Sequence, residues 1–258
     1  MKNLRERLSA GQTLLGCFLN LGSSLTAEMV GKAGFDFVVI DIEHGSGTEA
    51  NILHQLQALE HTPAAAVIRV ESHERQRAHR VLDLGAHGIM FPRVNTAPEA
   101  RACVAALRYP PLGVRGVASM NRACEFGVSF RRYVASSKDV LLGVLQIETA
   151  EALDNVEEIA AVDGADVLFI GPLDLSMSLG ILGEFDHPRF QAALERTAAA
   201  AARHGKATGV LMPKPEDFAR FHGLGFRFLA CGSDGAMVNN AARALAQTLM
   251  EQRRLRSG

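Results

Sequence analysis

The sequence predicts an α/β fold, a (β/α)8 or TIM barrel that forms a single domain over residues 1–258. Eight apolar runs of strand length recur along the chain, with stretches of helical length between them. Most of these runs are continuously apolar, which is typical of parallel strands that are covered on both faces. Eight βα units in 258 residues agree with the ~250 residues of a typical barrel. A doubly wound open sheet is the alternative.

The predicted strands follow one another at regular intervals. In chain order they are Leu14–Leu19, Phe37–Ile42, Ala66–Val70, Gly88–Phe91, Leu141–Ile147, Val167–Ile170, Thr208–Met212 and Phe226–Cys231. A short repeat precedes the second, fourth, sixth and eighth runs, in which a glycine and two further residues lead into the strand. The glycines are Gly34, Gly85, Gly164 and Gly225. Glycine at this place is typical of the end of a helix, so the repeat predicts helix, turn and strand in succession.

Two connections are longer than the ~2 to 6 residues that are usual in such folds. They cover residues 108–139 and 171–187. Long ordered insertions in a compact barrel are often functional, so we expect a functional role for both.

Composition and charge exclude several classes of protein. With 48% hydrophobic residues the chain can bury a large core, and 27 Lys+Arg against 28 Asp+Glu leave no field that favours nucleic acid. The four cysteines have no metal-binding or redox spacing, and we expect them to be reduced. No apolar stretch approaches the ~18 residues of a membrane span, and the first residues do not resemble a signal peptide. We therefore expect a soluble, cytoplasmic protein without nucleic-acid or membrane partners.

Acidic residues follow two neighbouring predicted strands. The catalytic groups of a barrel lie at the carboxyl ends of its strands, and Glu148 and Asp174 stand there after the fifth and sixth runs. Two carboxylates together with water and a chelating substrate suit Mg²⁺ or Mn²⁺. Each residue also fits a simpler role, as a solvated loop acid or a helix cap.

A histidine and an arginine stand at the ends of the second and third runs. His44 is a candidate general base, and Asp41 and Glu43 are placed to orient it or to pair with arginines. Arg69 ends an apolar run, where its guanidinium requires an anion. That anion is either a substrate carboxylate or enolate oxygen, or one of the protein's own acids, Glu148 or Asp41.

The turn after the sixth run offers backbone donors. Gly171 is followed by Pro172, which has no N–H, so the amides of Leu173 and Asp174 would donate to a carboxylate. A Schiff-base mechanism instead requires a lysine within the barrel. Lys214, just past the seventh run, is the sole candidate.

Taken together, these motifs resemble one known family. The segments that carry the resemblance are Gly34–Asp36, Asp41–His44, Arg69, Arg108–Pro111, Arg115–Gly116, Gln146–Thr149 and Gly171–Ser176. They resemble the metal-dependent (class II) pyruvate aldolases, which include the 4-hydroxy-2-oxoheptanedioate and 2-keto-3-deoxy sugar-acid aldolases. The resemblance runs from about Gly16 to the last helix.

The resemblance implies a metal site and a pyruvate site. Mg²⁺, Mn²⁺ or Co²⁺ would be held by Glu148 and Asp174, and pyruvate would chelate the ion through its carboxylate and keto oxygens. Gln146 and the backbone from Gly171 to Asp174 would complete the binding of pyruvate.

The resemblance also implies catalytic roles. His44 would transfer the proton and Arg69 would stabilise the enolate. Asp83 matches the family acid that raises the basicity of this histidine, although the predicted helix places it away from His44, and Asp41 is the nearer alternative. Phe18 stands where many relatives carry a Trp that faces the aldehyde. Leu173 stands where a small residue is common, so it would narrow the pyruvate pocket.

The predicted function is reversible aldol cleavage of a 4-hydroxy-2-oxo acid to pyruvate and an aldehyde, by a carbon–carbon lyase. Two alternatives stay open. One is a lyase of the citryl-CoA or malyl-CoA type, with a basic groove drawn from Arg115, Arg122, Arg131 and Arg132. The other is a barrel that binds 2-keto acids without catalysis. The resemblance further implies a homo-oligomer, a trimer or a hexamer of two trimers, in which the last helix packs against a neighbour.

Overall fold

The computed structural model describes residues 2–257 and contains a closed barrel of eight parallel strands. Neighbouring strands follow the order of the chain, and β1 pairs with β8 to close the sheet. The predicted (β/α)8 barrel is therefore confirmed, and the open sheet is excluded. The strands are β1 Leu14–Leu19, β2 Phe37–Asp41, β3 Ala65–Arg69, β4 Gly88–Phe91, β5 Leu142–Ile147, β6 Val167–Ile170, β7 Ala207–Met212 and β8 Phe226–Ser233.

Helices surround the barrel. They are α1 Leu4–Ser9, α2 Ser24–Lys32, α3 Glu49–Ala58, α4 Arg75–Asp83, α5 Ala97–Leu107, α6 Phe130–Val140, α7 Ala150–Asp154, α8 Val156–Ala160, α9 Pro172–Ser178, α10 Pro188–Arg203, α11 Phe218–Gly223 and α12 Asp234–Ser257. Short 3-10 turns cover Arg122–Gly127 and Pro215–Asp217. No helix within residues 2–257 has both the length and the apolar character that crossing a membrane requires.

Three strands, β1, β4 and β6, match the prediction at both ends, and the other five differ from it by one or two residues. β3 starts at Ala65 because that residue pairs with Phe37 of β2. β8 continues to Ser233 because it still pairs with β1 after a register shift. The four repeated glycines all have positive φ, between +90° and +105°, as the predicted helix-ending turns require.

The two long connections are not plain loops. The first contains α6, and it joins α5 to β5 at the amino ends of the strands. In a (β/α)8 barrel the catalytic groups lie at the carboxyl ends of the strands, and a connection from a helix to the next strand lies at the opposite end. The first connection is therefore away from the catalytic end of the barrel within one chain. The second contains α9 directly after β6 and does lie at the carboxyl ends.

The interior of the barrel is filled by aromatic and aliphatic side chains. Phe37 and Phe228 stack with their ring centroids 3.8 Å apart, and Phe169 packs edge-on against Phe228. Leu4 of α1 joins this interior cluster. The outward faces of the strands are buried against the helices. Burial on both faces explains why the strands are continuously apolar in the sequence.

Candidate active site

Two cavities lie at opposite ends of the barrel. One of about 570 Å³ is lined by residues that precede β4 and β5, among them His87 and Leu141. Another of about 450 Å³ is lined by residues that follow β2, β3 and β4, among them Glu43, His73 and Arg93. Because barrel enzymes use the carboxyl ends of their strands, the second cavity belongs to the candidate site.

Asp41 and Arg69 form a two-point ion pair at the ends of β2 and β3. The Nε and Nη2 atoms of Arg69 donate to the two carboxylate oxygens of Asp41, at 2.9 and 2.7 Å. The two residues are register partners in the sheet, so the strands themselves bring them together. Burial lowers the pKa of Arg69, but its bonds to Asp41 outweigh this and leave the pKa raised. Of the two acids considered as partners of Arg69, Asp41 makes the direct contact.

Glu43 connects Arg69 to His44. One of its carboxylate oxygens lies 3.2 Å from Nη1 of Arg69 and 3.8 Å from Nε2 of His44. The backbone N–H groups of Glu43 and His44 donate to Asp41, which holds this turn in place. The His44 side chain is 64% exposed. His44 is therefore accessible to a substrate at the carboxyl end of the barrel, next to the ion pairs that Arg69 forms with Glu43 and Asp41.

Glu148 is buried at the end of β5, with only 2% of its surface exposed. One carboxylate oxygen accepts a hydrogen bond of 2.7 Å from the backbone N–H of Arg93, and the other accepts one of 2.6 Å from the side-chain amide of Gln146. These donors fix the orientation of the carboxylate. No arginine or lysine is paired with it among residues 2–257.

Gly171 leaves room for the Glu148 carboxylate. A Cβ atom at this position would lie 2.4 Å from Oε2 of Glu148 and 3.2 Å from Nε2 of Gln146, so a larger residue would collide with Glu148 and crowd Gln146. The next residues start α9, with Asp174 in its first turn. The amides of Leu173 and Asp174 have no acceptor within the helix, as in any first turn. The side chain of Leu173 is 60% exposed.

The charges around Glu148 are unbalanced. Burial raises the pKa of Glu148 to about 7, and the nearby carboxylates of Asp174 and Glu43 add to this rise against the opposing bond from Arg93 and the charge of Arg69. Burial likewise raises the pKa of Glu43, with contributions from Asp41 and Asp174. The site thus gathers carboxylates that repel one another, and a cation would relieve that repulsion.

The residues at this place fit a hard divalent cation. Two carboxylates, Glu148 and Asp174, are oxygen donors of the type that Mg²⁺ and Mn²⁺ prefer. The buried Oε1 atom of Gln146 has no hydrogen-bond partner within residues 2–257, which leaves an acceptor oxygen beside Glu148 unused. The described residues contain no group of three His, Cys, Asp or Glu side chains arranged around one ion. Water and substrate oxygens would therefore complete the coordination.

Phe18 forms the inner wall beneath Arg69. The guanidinium carbon of Arg69 lies 5.2 Å from the centroid of the Phe18 ring, and the ring is tilted against Phe169 at 6.4 Å. Phe18 is buried, at 5% exposure. It supports Arg69 from within the barrel by a cation–π contact.

Asp83 lies elsewhere in the chain. It ends α4, and its carboxylate accepts a hydrogen bond of 2.8 Å from the buried Arg115. Arg115 packs between the rings of Tyr109 and Tyr133. Within residues 2–257 the only carboxylate within 4 Å of the His44 ring belongs to Glu43. One chain therefore does not bring Asp83 and His44 together.

The sequence named Glu43 as a residue that orients His44 or pairs with an arginine, and the structure shows it in contact with both His44 and Arg69. The i, i+2 spacing of Asp41 and Glu43 was a usable signal, since such residues share one side of an extended segment. Arg93 stands just after the fourth predicted strand, but the sequence assigned it no role, and the structure adds its backbone N–H as a donor to Glu148. Lys214 is exposed after β7, so the Schiff-base alternative gains no support.

Two of the four arginines proposed for the basic groove of a CoA-dependent lyase are engaged within the chain. Arg115 is buried against Asp83. Arg122 is engaged by Glu60 and by the carbonyl of Leu84.

A closed (β/α)8 barrel with paired acids, an arginine and a histidine at the carboxyl ends of its strands defines a barrel enzyme with a site for a small anionic substrate. Comparison with known proteins gives the family. Residues 14–241 match the model of the HpcH/HpaI aldolase/citrate lyase family, and the chain belongs to that family. The resemblance predicted from the motifs and the carbon–carbon lyase class are thereby confirmed.

Individual relatives agree with this placement. The chain is 39% identical to the 5-keto-4-deoxy-D-glucarate aldolase of Klebsiella pneumoniae subsp. pneumoniae over 94% of both chains. It is 35% identical to the crystal structure of a family member from Burkholderia cenocepacia J2315, with a TM-score of 0.91 over 97% of this chain and 100% of that one. The structure of the citrate synthase SbnG is 26% identical, with a TM-score of 0.87 over 98% of this chain and 100% of that one.

Proposed function

We propose that this aldolase reversibly cleaves a 4-hydroxy-2-oxo acid, of the 2-keto-3-deoxy sugar-acid or 4-hydroxy-2-oxoheptanedioate type, to pyruvate and an aldehyde. The observation that carries the proposal is the line of contacts from Asp41 through Arg69 and Glu43 to His44, beside the buried Glu148. These contacts support a site in which a base, a positive charge and carboxylates act together at one end of the barrel. The sugar-acid aldolase among the relatives supports the same reaction type.

His44 is the base in the cleavage direction. Its exposed imidazole removes the proton from the C4 hydroxyl, the C3–C4 bond breaks, and the aldehyde leaves. The bonding electrons pass to C3 and the 2-oxo group as the enolate of pyruvate. Return of a proton to C3 then gives pyruvate.

Arg69 stabilises the negative charge that develops on the enolate. Its guanidinium is held rigidly by Asp41, Glu43 and the Phe18 ring, so little reorganisation is required when the charge appears. The carboxylate of Glu43 lies between Arg69 and His44 and interacts electrostatically with both. In this role it keeps the imidazole of His44 near the reacting oxygen.

Glu148 and Asp174 are the proposed ligands of a divalent cation, Mg²⁺, Mn²⁺ or Co²⁺. When bound, such an ion supplies positive charge that favours the enolate over the ketone. Gln146 holds the Glu148 carboxylate in place, and its Oε1 has no hydrogen-bond partner within residues 2–257. The amides of Leu173 and Asp174, next to Gly171, are placed to donate to the pyruvate carboxylate.

Two further expectations belong to this proposal. We infer a homo-oligomer, a trimer or hexamer, because every residue of α12 from Ala236 to Arg256 is exposed, including Val238, Leu245 and Leu249. Such an apolar stripe is typical of a helix that packs against another chain. The proposed role of Asp83 beside His44 requires such a neighbour. A cytoplasmic location is part of the same proposal.

A pyruvate-release assay tests the function. Candidate 4-hydroxy-2-oxo acids are incubated with the wild-type enzyme and with Mg²⁺, Mn²⁺ or Co²⁺, and pyruvate is measured. The His44→Ala variant is expected to lose about 10² to 10⁴ in rate, because it lacks the general base. His61 is an exposed histidine outside the site, and His61→Ala is the matched control. Full activity in His44→Ala, or no pyruvate from any substrate with the wild type, would contradict the proposal.

A further inference from the structure

Arg93, the second residue after β4, has an unusual backbone conformation. Its φ angle is +48°, a left-handed value that few residues other than glycine adopt. The conformation aims its N–H at Glu148, to which it donates a hydrogen bond of 2.7 Å. Strained backbone of this kind is concentrated at functional sites. Arg93 is thereby fixed to a proposed ligand of the cation.

The side chain of Arg93 has no partner. It is exposed, and its guanidinium makes no hydrogen bond or ion pair within residues 2–257. The nearby acids are already engaged, since Glu43 pairs with Arg69 at 3.2 Å and Glu71 pairs with Arg77 at 2.6 Å. A free guanidinium next to paired acids is available to an anion from solution.

The cavity of about 450 Å³ at this end of the barrel is lined by both Arg93 and Glu43. Glu43 also contacts Arg69 and His44, so the cavity begins where the proposed reaction takes place. Its wall is held by the ring of His73, which is hydrogen-bonded to the carbonyl of Pro92. A substrate that reacts beside His44 has room to extend into this cavity.

We propose that Arg93 is a specificity-determining residue, whose guanidinium binds a carboxylate on the aldehyde half of the substrate. This inference rests on the proposed aldol cleavage and narrows its substrates to 4-hydroxy-2-oxo diacids. Arginine matches a carboxylate with two parallel hydrogen bonds. Glu74 is a further acid that lines the cavity and repels anions unless a cation balances it. Among the described residues that line this cavity, Arg93 is the one arginine or lysine.

The test uses two aldehydes that differ only in charge at the far end. Addition of pyruvate to tartronate semialdehyde, which carries a carboxylate, is compared with addition to glyceraldehyde, which carries a hydroxymethyl group instead. The measured quantity is the ratio of kcat/KM for the two aldehydes. Taking this ratio cancels any effect of a substitution on metal binding or on the amount of folded protein.

Arg93→Asn removes the guanidinium, and asparagine tolerates positive φ. We expect this variant to lower the ratio by at least about tenfold, the effect of losing a charged hydrogen bond. Arg93→Lys, which retains the charge, is expected to recover part of it. Arg189→Asn, on the exposed start of α10, is the matched control and should leave the ratio unchanged.

The outcomes separate two failures. If the wild type adds pyruvate to both aldehydes and Arg93→Asn has the same ratio of kcat/KM as the wild type, the role of Arg93 is overturned. The aldolase function would still stand. A wild-type enzyme that adds pyruvate to neither aldehyde would overturn the proposed function, and the role of Arg93 with it.

Discussion

At the scale of single residues, the site depends on how its charges are paired. Arg69 contacts two acids at once, and Asp41 accepts both from Arg69 and from the backbone of the following turn. Removing one member of such a network leaves a buried charge without its partner, which is costly. Glu148 is the exception, because it is buried and pairs directly with no arginine or lysine among residues 2–257. That difference separates the fixed part of the site from the part that we propose binds a metal.

Residue-level reasoning from the sequence found most of these groups but left the choice between alternative partners open. His44, Arg69, Glu148 and Asp174 were predicted because they stand at strand ends. The choice of Asp41 as the partner of Arg69 follows from the register of β2 and β3, which the sequence does not state. The backbone conformation of Arg93 is set by the barrel around it, and no local motif predicts it.

His87 makes a prediction about pH at this same scale. Its Nδ1 accepts a hydrogen bond of 3.2 Å from the backbone of Ala66, and burial, with the charge of Lys2 nearby, lowers the pKa of His87 from 6.5 to about 4. Below pH 6.5 His87 is protonated in the unfolded chain, whereas in the folded chain it stays neutral until about pH 4. The free energy of unfolding should therefore fall as the pH falls, by about 2 kcal/mol from His87 alone at pH 5.

Urea unfolding at pH 7.5 and pH 5 measures this effect. His87→Asn keeps an acceptor near Ala66 but does not titrate, so its stability should fall less between the two pH values than that of the wild type. The exposed His61 serves as control, and His61→Asn should behave as the wild type does. Equal losses in His87→Asn and the wild type would refute the prediction.

At the scale of elements, the site is formed where strands end and helices begin. The junction of β6 and α9 is the clearest case, because Gly171 admits the Glu148 carboxylate and Asp174 follows in the first turn. The sequence predicted the strand and the turn. It left open whether Asp174 belongs to a solvated loop or caps a helix, since the segment is short and lacks a long apolar period. The structure shows a helix, α9, with Asp174 in its first turn.

Gly171→Ala tests the role of this junction. The added methyl group would press on Glu148 and Gln146, so we expect the affinity for Mn²⁺ to fall at least about tenfold, as when the support of a metal ligand is lost. Isothermal titration calorimetry measures it. Gly223→Ala in α11 is the matched control, because a methyl group there meets nothing within 4 Å. An unchanged affinity in Gly171→Ala would show that the carboxylate is not held as described.

At the scale of the whole molecule, the barrel order was predictable and the assembly was not. Apolar runs and helix-ending glycines define eight units, and the closed sheet follows from them. The prediction that residues 1–258 form a single domain stays a prediction. The proposed assembly is argued from the exposed α12 and from the separation of Asp83 from His44, and no sequence pattern within one chain specifies contacts between chains.

The central claim is that Glu148 and Asp174 hold a divalent cation that the cleavage requires. The most direct measurement is the rate of pyruvate release by enzyme stripped with EDTA, before and after Mn²⁺ is added back, in the wild type and in Glu148→Gln. The account predicts no measurable release from the stripped wild type and full recovery with Mn²⁺. It predicts a loss of about 10² or more in Glu148→Gln under the same conditions. Full activity in the presence of EDTA, or in Glu148→Gln, would contradict it.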